Sequence, residues 1–143
     1  MSIKWSEDAV HAVVHKGSLA TTLSLRGHQL VADEPEGHGG HDAGPDPFDY
    51  VMMGLAACTT ISLRAVADRH DIPLERAEVH IHYGRRAGGE DERRHVMKKV
   101  VQLHGSFTDD QLKRLERAAA CPVHRMLGSG VDVQTETETV EGP

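Results

Sequence analysis

Apolar positions along the chain follow two different periods, and the elements change where the period changes. Residues 10–14 and 19–25 are rich in β-branched and apolar side chains, with Gly17 and Ser18 offering a turn between them. A second turn at Arg26, Gly27 and His28 leads into a third short run at 29–32, so the first third predicts a three-stranded meander. Residues 33–45 are mostly Gly, Asp, Glu, His and Pro without periodic apolar positions, a loop of the length that often carries function or moves. At Asp46 and Pro47 the reading changes to helix. Asp supplies a capping oxygen, and Pro fits the first turn, where its missing backbone donor costs nothing. This helix is expected from about 47 to 70, with Pro73 marking its end. From Val51 to Ala67 its one charge is Arg64, so apolar side chains surround most of the cylinder and the helix is expected to be buried.

Beyond Pro73, residues 77–83 alternate polar and apolar, and 96–101 with Leu103 do so less cleanly; the polar stretch 84–94 joins them as a hairpin loop. Thr108 as cap and Gln111 at the capping-box position open a second helix, with Leu112, Leu115, Ala118 and Ala119 on one face. Cys121 and Pro122 open a short third helix to about Leu127, followed by Gly128, Ser129 and Gly130. Residues 131–139 alternate again and are expected to close the domain as a strand. The order βββ-α-ββ-αα-β is an α+β arrangement, a mainly antiparallel sheet covering a long buried central helix.

Composition narrows the functional classes. A chain of 143 residues suits one domain, 1–143, large enough for a real core. With 22 acidic against 16 basic residues and a net charge of −6, general affinity for nucleic acid or for anionic membranes is not expected. No run approaches the roughly 20 uninterrupted apolar residues of a membrane span, and the opening residues lack the apolar core of a signal peptide. A soluble, cytoplasmic protein is expected. In that reducing compartment two cysteines rest as thiols, so a disulfide between them would be transient and catalytic.

Cys58 and Cys121 are the only thiols, and each closes a run of small apolar residues. Brought together, they could take electrons from a substrate and form a disulfide. The competing role is packing, since free cysteine behaves as a small buried hydrophobe. Cys121 stands before a proline at a helix start, where unpaired amide donors and the helix dipole favour a thiolate below the free value of about 8.5. Cys58 lies mid-helix and needs a cation nearby to react. Arg26 and Arg64 are the candidates; Arg64 sits on a different face and one turn from Asp68, with which it should pair, so Arg26 is preferred. The 11 histidines offer a competing metal site. Cys121 and His124 have half of a zinc spacing, His80 and His82 share a strand face, and His38 and His41 share a loop. No second paired half accompanies them, so neither a metal nor another cofactor is expected. Met52, Met53, Met126 and Leu127 are candidates to line an apolar pocket, with core filling as the plainer role.

Three motifs then coincide in order: Gly-Pro-Asp-Pro-Phe-Asp-Tyr at 44–50, Gly-Leu-Ala-Ala-Cys-Thr at 54–59 and Cys-Pro-Val-His-Arg at 121–125. With them the chain resembles the osmotically inducible protein C superfamily, which includes the organic hydroperoxide resistance proteins. The resemblance implies an intertwined homodimer with active sites at the interface. It implies that Cys58 attacks a small organic hydroperoxide and becomes a sulfenic acid, that Cys121 resolves it as a disulfide, and that a thiol reductant of dithiol or lipoyl type restores the pair. Arg26 matches the place of the family arginine that activates the first thiolate. Phe48 stands where hydroperoxide-active members carry a glutamate, leaving Asp49, one position on, to hold that arginine, and Phe48 itself beside the substrate. The reading is a thiol-dependent peroxidase in oxidative stress defence. The alternative is a binding or redox-sensing protein of the same fold, holding a small apolar ligand.

Overall fold

A computed structural model describes residues 2–87 and 94–140. In chain order it contains β1 (His11–Val14), β2 (Thr21–Leu25), β3 (His28–Ala32), a single 3-10 turn (Glu36–His38), α1 (Pro47–Arg69), β4 (Leu74–Arg85), β5 (His95–Gly105), α2 (Asp109–Ala119) and α3 (Pro122–Ser129). The fold is α+β, with antiparallel sheets and one long helix. The chain divides into two compact units, Met1–Met53 and Gly54–Pro143.

In the first unit, β1, β2 and β3 form the expected meander, each pair antiparallel. Leu25 pairs with His28 across a two-residue turn in which Arg26 and Gly27 have φ of 50° and 82°. Two positive φ values in sequence are the turn that matches the twist of a hairpin, easy for Gly27 and costing roughly 1 kcal/mol or more at Arg26. The loop after β3 is organised by the buried Asp33. Its Oδ1 accepts from the Glu34 N–H at 2.8 Å, and Oδ2 accepts from those of His41 and Ala43 at 3.0 and 3.1 Å. A Cβ on Gly40 would lie 1.9 Å from the Glu34 carbonyl oxygen, so the loop closes around its carboxylate only with glycine there. Tyr50 fastens the start of α1 to β3, its hydroxyl donating to the Val31 carbonyl at 2.6 Å.

In the second unit, β4 and β5 pair antiparallel over their whole length, longer at both ends than the alternation alone predicts. The expected hairpin tip begins with Arg86 N–H donating to the Arg94 carbonyl at 2.8 Å; residues 88–93 of that tip lie outside the described residues. Leu63, Ala67, Ile72, Leu74 and Leu115 form the core, with Val79, Val101, Leu103 and Phe107 packed against it. The predicted capping box opens α2: Thr108 Oγ1 accepts from Gln111 N–H at 3.2 Å, and Gln111 Oε1 accepts from Thr108 N–H at 3.0 Å. Gly105 has φ of 150° and no room for a Cβ, which would meet the Pro73 carbonyl oxygen at 2.4 Å.

Two expectations are corrected. The helix α1 is not buried all round: Leu55, Thr59, Leu63 and Ala67 form one buried stripe, while Ile61 is 68% exposed and Phe48, Val51 and Met53 are exposed as well. Apolar composition says that a helix tolerates burial, whereas burial itself needs something packed on each face. By length and composition alone α1 could also cross a membrane, but its Leu63 and Ala67 belong to the protein core. The second correction concerns 131–139, which form no strand, and Val131 and Val133 are exposed. Alternation marks an edge suited to pairing, and a strand requires a partner to supply the ladder.

Candidate functional site

The buried stripe of α1 and the inner row of β5 each contain one residue that does not match its neighbours. On α1 the stripe reads Leu55, Thr59, Leu63, Ala67, with Thr59 fully buried. On β5 the row Met97, Lys99, Val101, Leu103 lies opposite Tyr83, Ile81, Val79 and Ala77 of β4, so Lys99 occupies a place where the pattern calls for an apolar side chain. The two misfits meet. Lys99 Nζ donates to Thr59 Oγ1 at 3.0 Å and to the Ala119 carbonyl, at the C-terminal end of α2, at 2.6 Å. A cation at that end also meets the negative pole of the helix.

Cys121 completes the cluster. It is the residue before the first turn of α3, with Pro122 at the first helical position as the sequence predicts. Its side chain is buried, with Thr59 Oγ1 3.5 Å from Sγ. Burial is the largest single influence on this thiol and pushes it up. Against it act the Thr59 hydroxyl, the backbone N–H of His124, the Cys58 side chain and the charge of Lys99, and together they hold Cys121 below the ordinary thiol value. Burial also pushes Lys99 down from the usual lysine range, opposed by the charges of Cys121 and Cys58. Cys58 is itself partly buried on α1, one residue before Thr59, and both cysteines are free thiols.

Beside Lys99 opens a cavity of about 290 Å³ lined by Leu55, His95, Met97, Lys99, His124, Leu127 and Gly128. It is mainly apolar, with Lys99, His95 and His124 as the polar side chains of its lining. Of the pocket candidates read from the sequence, Leu127 lines this cavity; Met126 is exposed on α3 and outside its lining. Met52 and Met53 lie on the first-unit part of α1 with Phe48, whose side chain is half exposed.

The remaining candidates lie in the first unit. Arg26 stands exposed at the β2–β3 turn and has no hydrogen bond or ion pair among the described residues. Asp49 serves the start of α1: its Oδ2 accepts from Asp46 N–H at 3.0 Å, while Asp46 Oδ1 accepts from Asp49 N–H at 2.8 Å. The two are therefore not joined to each other. Arg64 is engaged as expected, bonding Asp68 through Nε and Nη2 at 3.0 and 2.7 Å and the Leu74 carbonyl through Nη1 at 2.7 Å. The histidines are dispersed: His80 and His82 are exposed on β4, and His41 contributes its backbone to the Asp33 loop. Among the described residues no group of three or more His, Cys, Asp or Glu comes together.

Sequence reasoning missed Lys99 and Thr59. Each was visible as a polar residue inside an apolar row, but neither row alone says that the two converge on a thiol.

A model of the OsmC-like protein family matches residues 39–136. The chain belongs to this family. Solved structures agree in fold: an OsmC-like protein of Mycoplasma pneumoniae at TM-score 0.64 and 18% identity, covering 86% of this chain and 88% of the other. An organic hydroperoxide resistance protein OsmC of Legionella pneumophila follows at 0.61 and 20%, covering 86% and 90%. One from Elizabethkingia anophelis, also an organic hydroperoxide resistance protein, gives 0.61 and 18%, covering 87% and 89%. No curated protein matches the chain.

Proposed function

We propose that this OsmC-like protein is a thiol-dependent peroxidase for small organic hydroperoxides, acting in oxidative stress defence. The observation that carries the reading is the juxtaposition of Cys58 and Cys121, with Cys121 held toward its thiolate by Thr59, the His124 N–H, Cys58 and Lys99. Structural packing alone gives no reason to draw an ammonium partly out of water beside two thiols.

In this reading the Cys58 thiolate attacks the terminal peroxide oxygen, the O–O bond breaks, and the departing alkoxide takes a proton to become the alcohol. Cys121 then attacks the Cys58 sulfenic acid, forming the disulfide and releasing hydroxide, which is protonated to water. A dithiol or lipoyl-type reductant returns the pair to thiols. The cavity beside Lys99 offers room for the organic tail. Arg26, with Asp49 near the helix start, is the proposed activating cation for Cys58, and Phe48, Met52, Met53 and Met126 are proposed around the substrate in a homodimer. The exposed apolar residues of α1 and the unpaired alternating segment 131–139 support a second copy as their cover. Two free thiols suit the cytoplasm.

The test is direct. Reduced protein is mixed with an alkyl hydroperoxide, and mass analysis should find the Cys58–Cys121 disulfide together with one alcohol per peroxide consumed. If no disulfide forms and peroxide disappears no faster than with Cys58→Ser, the protein is not a peroxidase. Saturable binding of a small apolar ligand without thiol oxidation would then favour the second reading, which the apolar cavity supports.

A further inference from the structure

We propose that Lys99, acting through Thr59, is the positioning residue that makes Cys121 the departing sulfur when a Cys58–Cys121 disulfide is reduced. This rests on the two-thiol reading above and assigns a direction to its recycling half.

The hydroxyl of Thr59 is the relay. Its oxygen already accepts from Lys99, so its one proton can go either to the Leu55 carbonyl, 2.9 Å away, or to Cys121 Sγ, 3.5 Å away. A thiol at Cys121 can itself donate to that oxygen, whereas a thiolate draws the hydroxyl proton toward sulfur. Lys99 favours the second arrangement, because an ammonium on the hydroxyl oxygen polarises its O–H. Lys99 has no carboxylate partner among the described residues; its neighbours are a hydroxyl, a carbonyl and two thiols. The other charged or titratable groups facing Cys121 do not oppose this. His124 of α3 presents its backbone N–H, and Arg69 of α1, Arg117 of α2 and Arg125 of α3 line a second pocket, of about 260 Å³, that Cys121 borders.

Reduction starts when an external thiolate attacks one sulfur of the disulfide. Cys121 is 2% exposed and Cys58 is the more accessible of the two. Attack at Cys58 forms a mixed disulfide between the reductant and Cys58, breaks the Cys58–Cys121 bond, and sends the electron pair to Cys121 as a thiolate. The second thiol of a dithiol reductant, after losing its proton to solvent, attacks the mixed disulfide, closes its own disulfide and frees Cys58. The first step is faster the better the leaving thiolate is stabilised.

The experiment needs no peroxide. The disulfide is formed with diamide, a thiol-specific oxidant, and reduced at neutral pH by dithiothreitol in wild type, Lys99→Met and Lys99→Arg. Reduction of Lys99→Met should be slower by about tenfold, with Lys99→Arg restoring most of the rate. A monothiol should be trapped on Cys58. In a Cys58→Ser background the ultraviolet thiolate titration of Cys121 should move up with Lys99→Met and stay low with Lys99→Arg. Equal rates and titrations with and without the cation, or trapping on Cys121, overturn the proposal. If peroxide fails to oxidise the pair while these results hold, the peroxidase reading falls and the role of Lys99 stands; if diamide also forms no disulfide, both fall.

Discussion

Two regions of this molecule draw a charge out of water, one fully and one in part, and they do opposite things with it. Around Asp33 a carboxylate is enclosed by backbone N–H groups of Glu34, His41 and Ala43, every one of them a group that cannot titrate. The largest influence on it, the Ala43 N–H, and those of His41 and Glu34 outweigh its burial and hold it below the usual carboxylate range. Around Lys99 a partly buried ammonium meets a hydroxyl and a carbonyl and lies beside two thiols, with no carboxylate among the described residues to match it. A buried charge answered by backbone fixes a loop. One set beside two thiols, which can themselves gain or lose protons, is poised for chemistry.

Three measurements test that contrast. The largest effect is expected from Gly40→Ala, whose Cβ would collide with the Glu34 carbonyl and open the Asp33 loop. A loss of about 3 kcal/mol in denaturant unfolding is expected, with the Cys121 titration unchanged in whatever remains folded; a neutral result would mean that the loop has another closure. Asp33→Asn is next. Because the folded carboxyl sits below its ordinary value, its stabilisation is complete above the unfolded value of about 3.9 and is lost as pH falls through the lower folded one. Wild type should therefore lose amide protection at His41 and Ala43 on acidification, and the Asn variant should already lack it at neutral pH, with exchange faster by about tenfold. Protection that ignores pH would remove the carboxylate from the account. The smallest change is expected for Lys99→Met, whose melting temperature should match or slightly exceed that of wild type, since an apolar chain replaces a desolvated ammonium. A large drop there would make Lys99 a structural residue like Asp33.

Much of the fold was legible because its signals are local. The meander, the loop at 33–45, the Asp46–Pro47 helix start, the Thr108–Gln111 capping box and the Cys121–Pro122 helix start all depend on residues within a few positions of each other. What misled was apolar pattern without knowledge of its cover, in α1 and in residues 131–139. Of the candidate site, the lowered Cys121 followed from its place at a helix start, whereas Arg26 and Asp49 are not joined to each other, Asp49 accepting instead from the Asp46 N–H at the start of α1.

From sequence alone follow the meander, the starts of the three helices, the order of these elements, and the placing of two thiols at the positions of a known family. What favours the thiolate of one of them, Cys121, came from the packing of distant elements. Thr59 and Lys99 are 40 residues apart, and each belongs to a row with its own period, 3.6 on the helix and 2 on the strand. Either period tells which face a residue occupies. Neither tells which residue of another element it will touch, because that depends on how helix and strand pack, a property of the whole core.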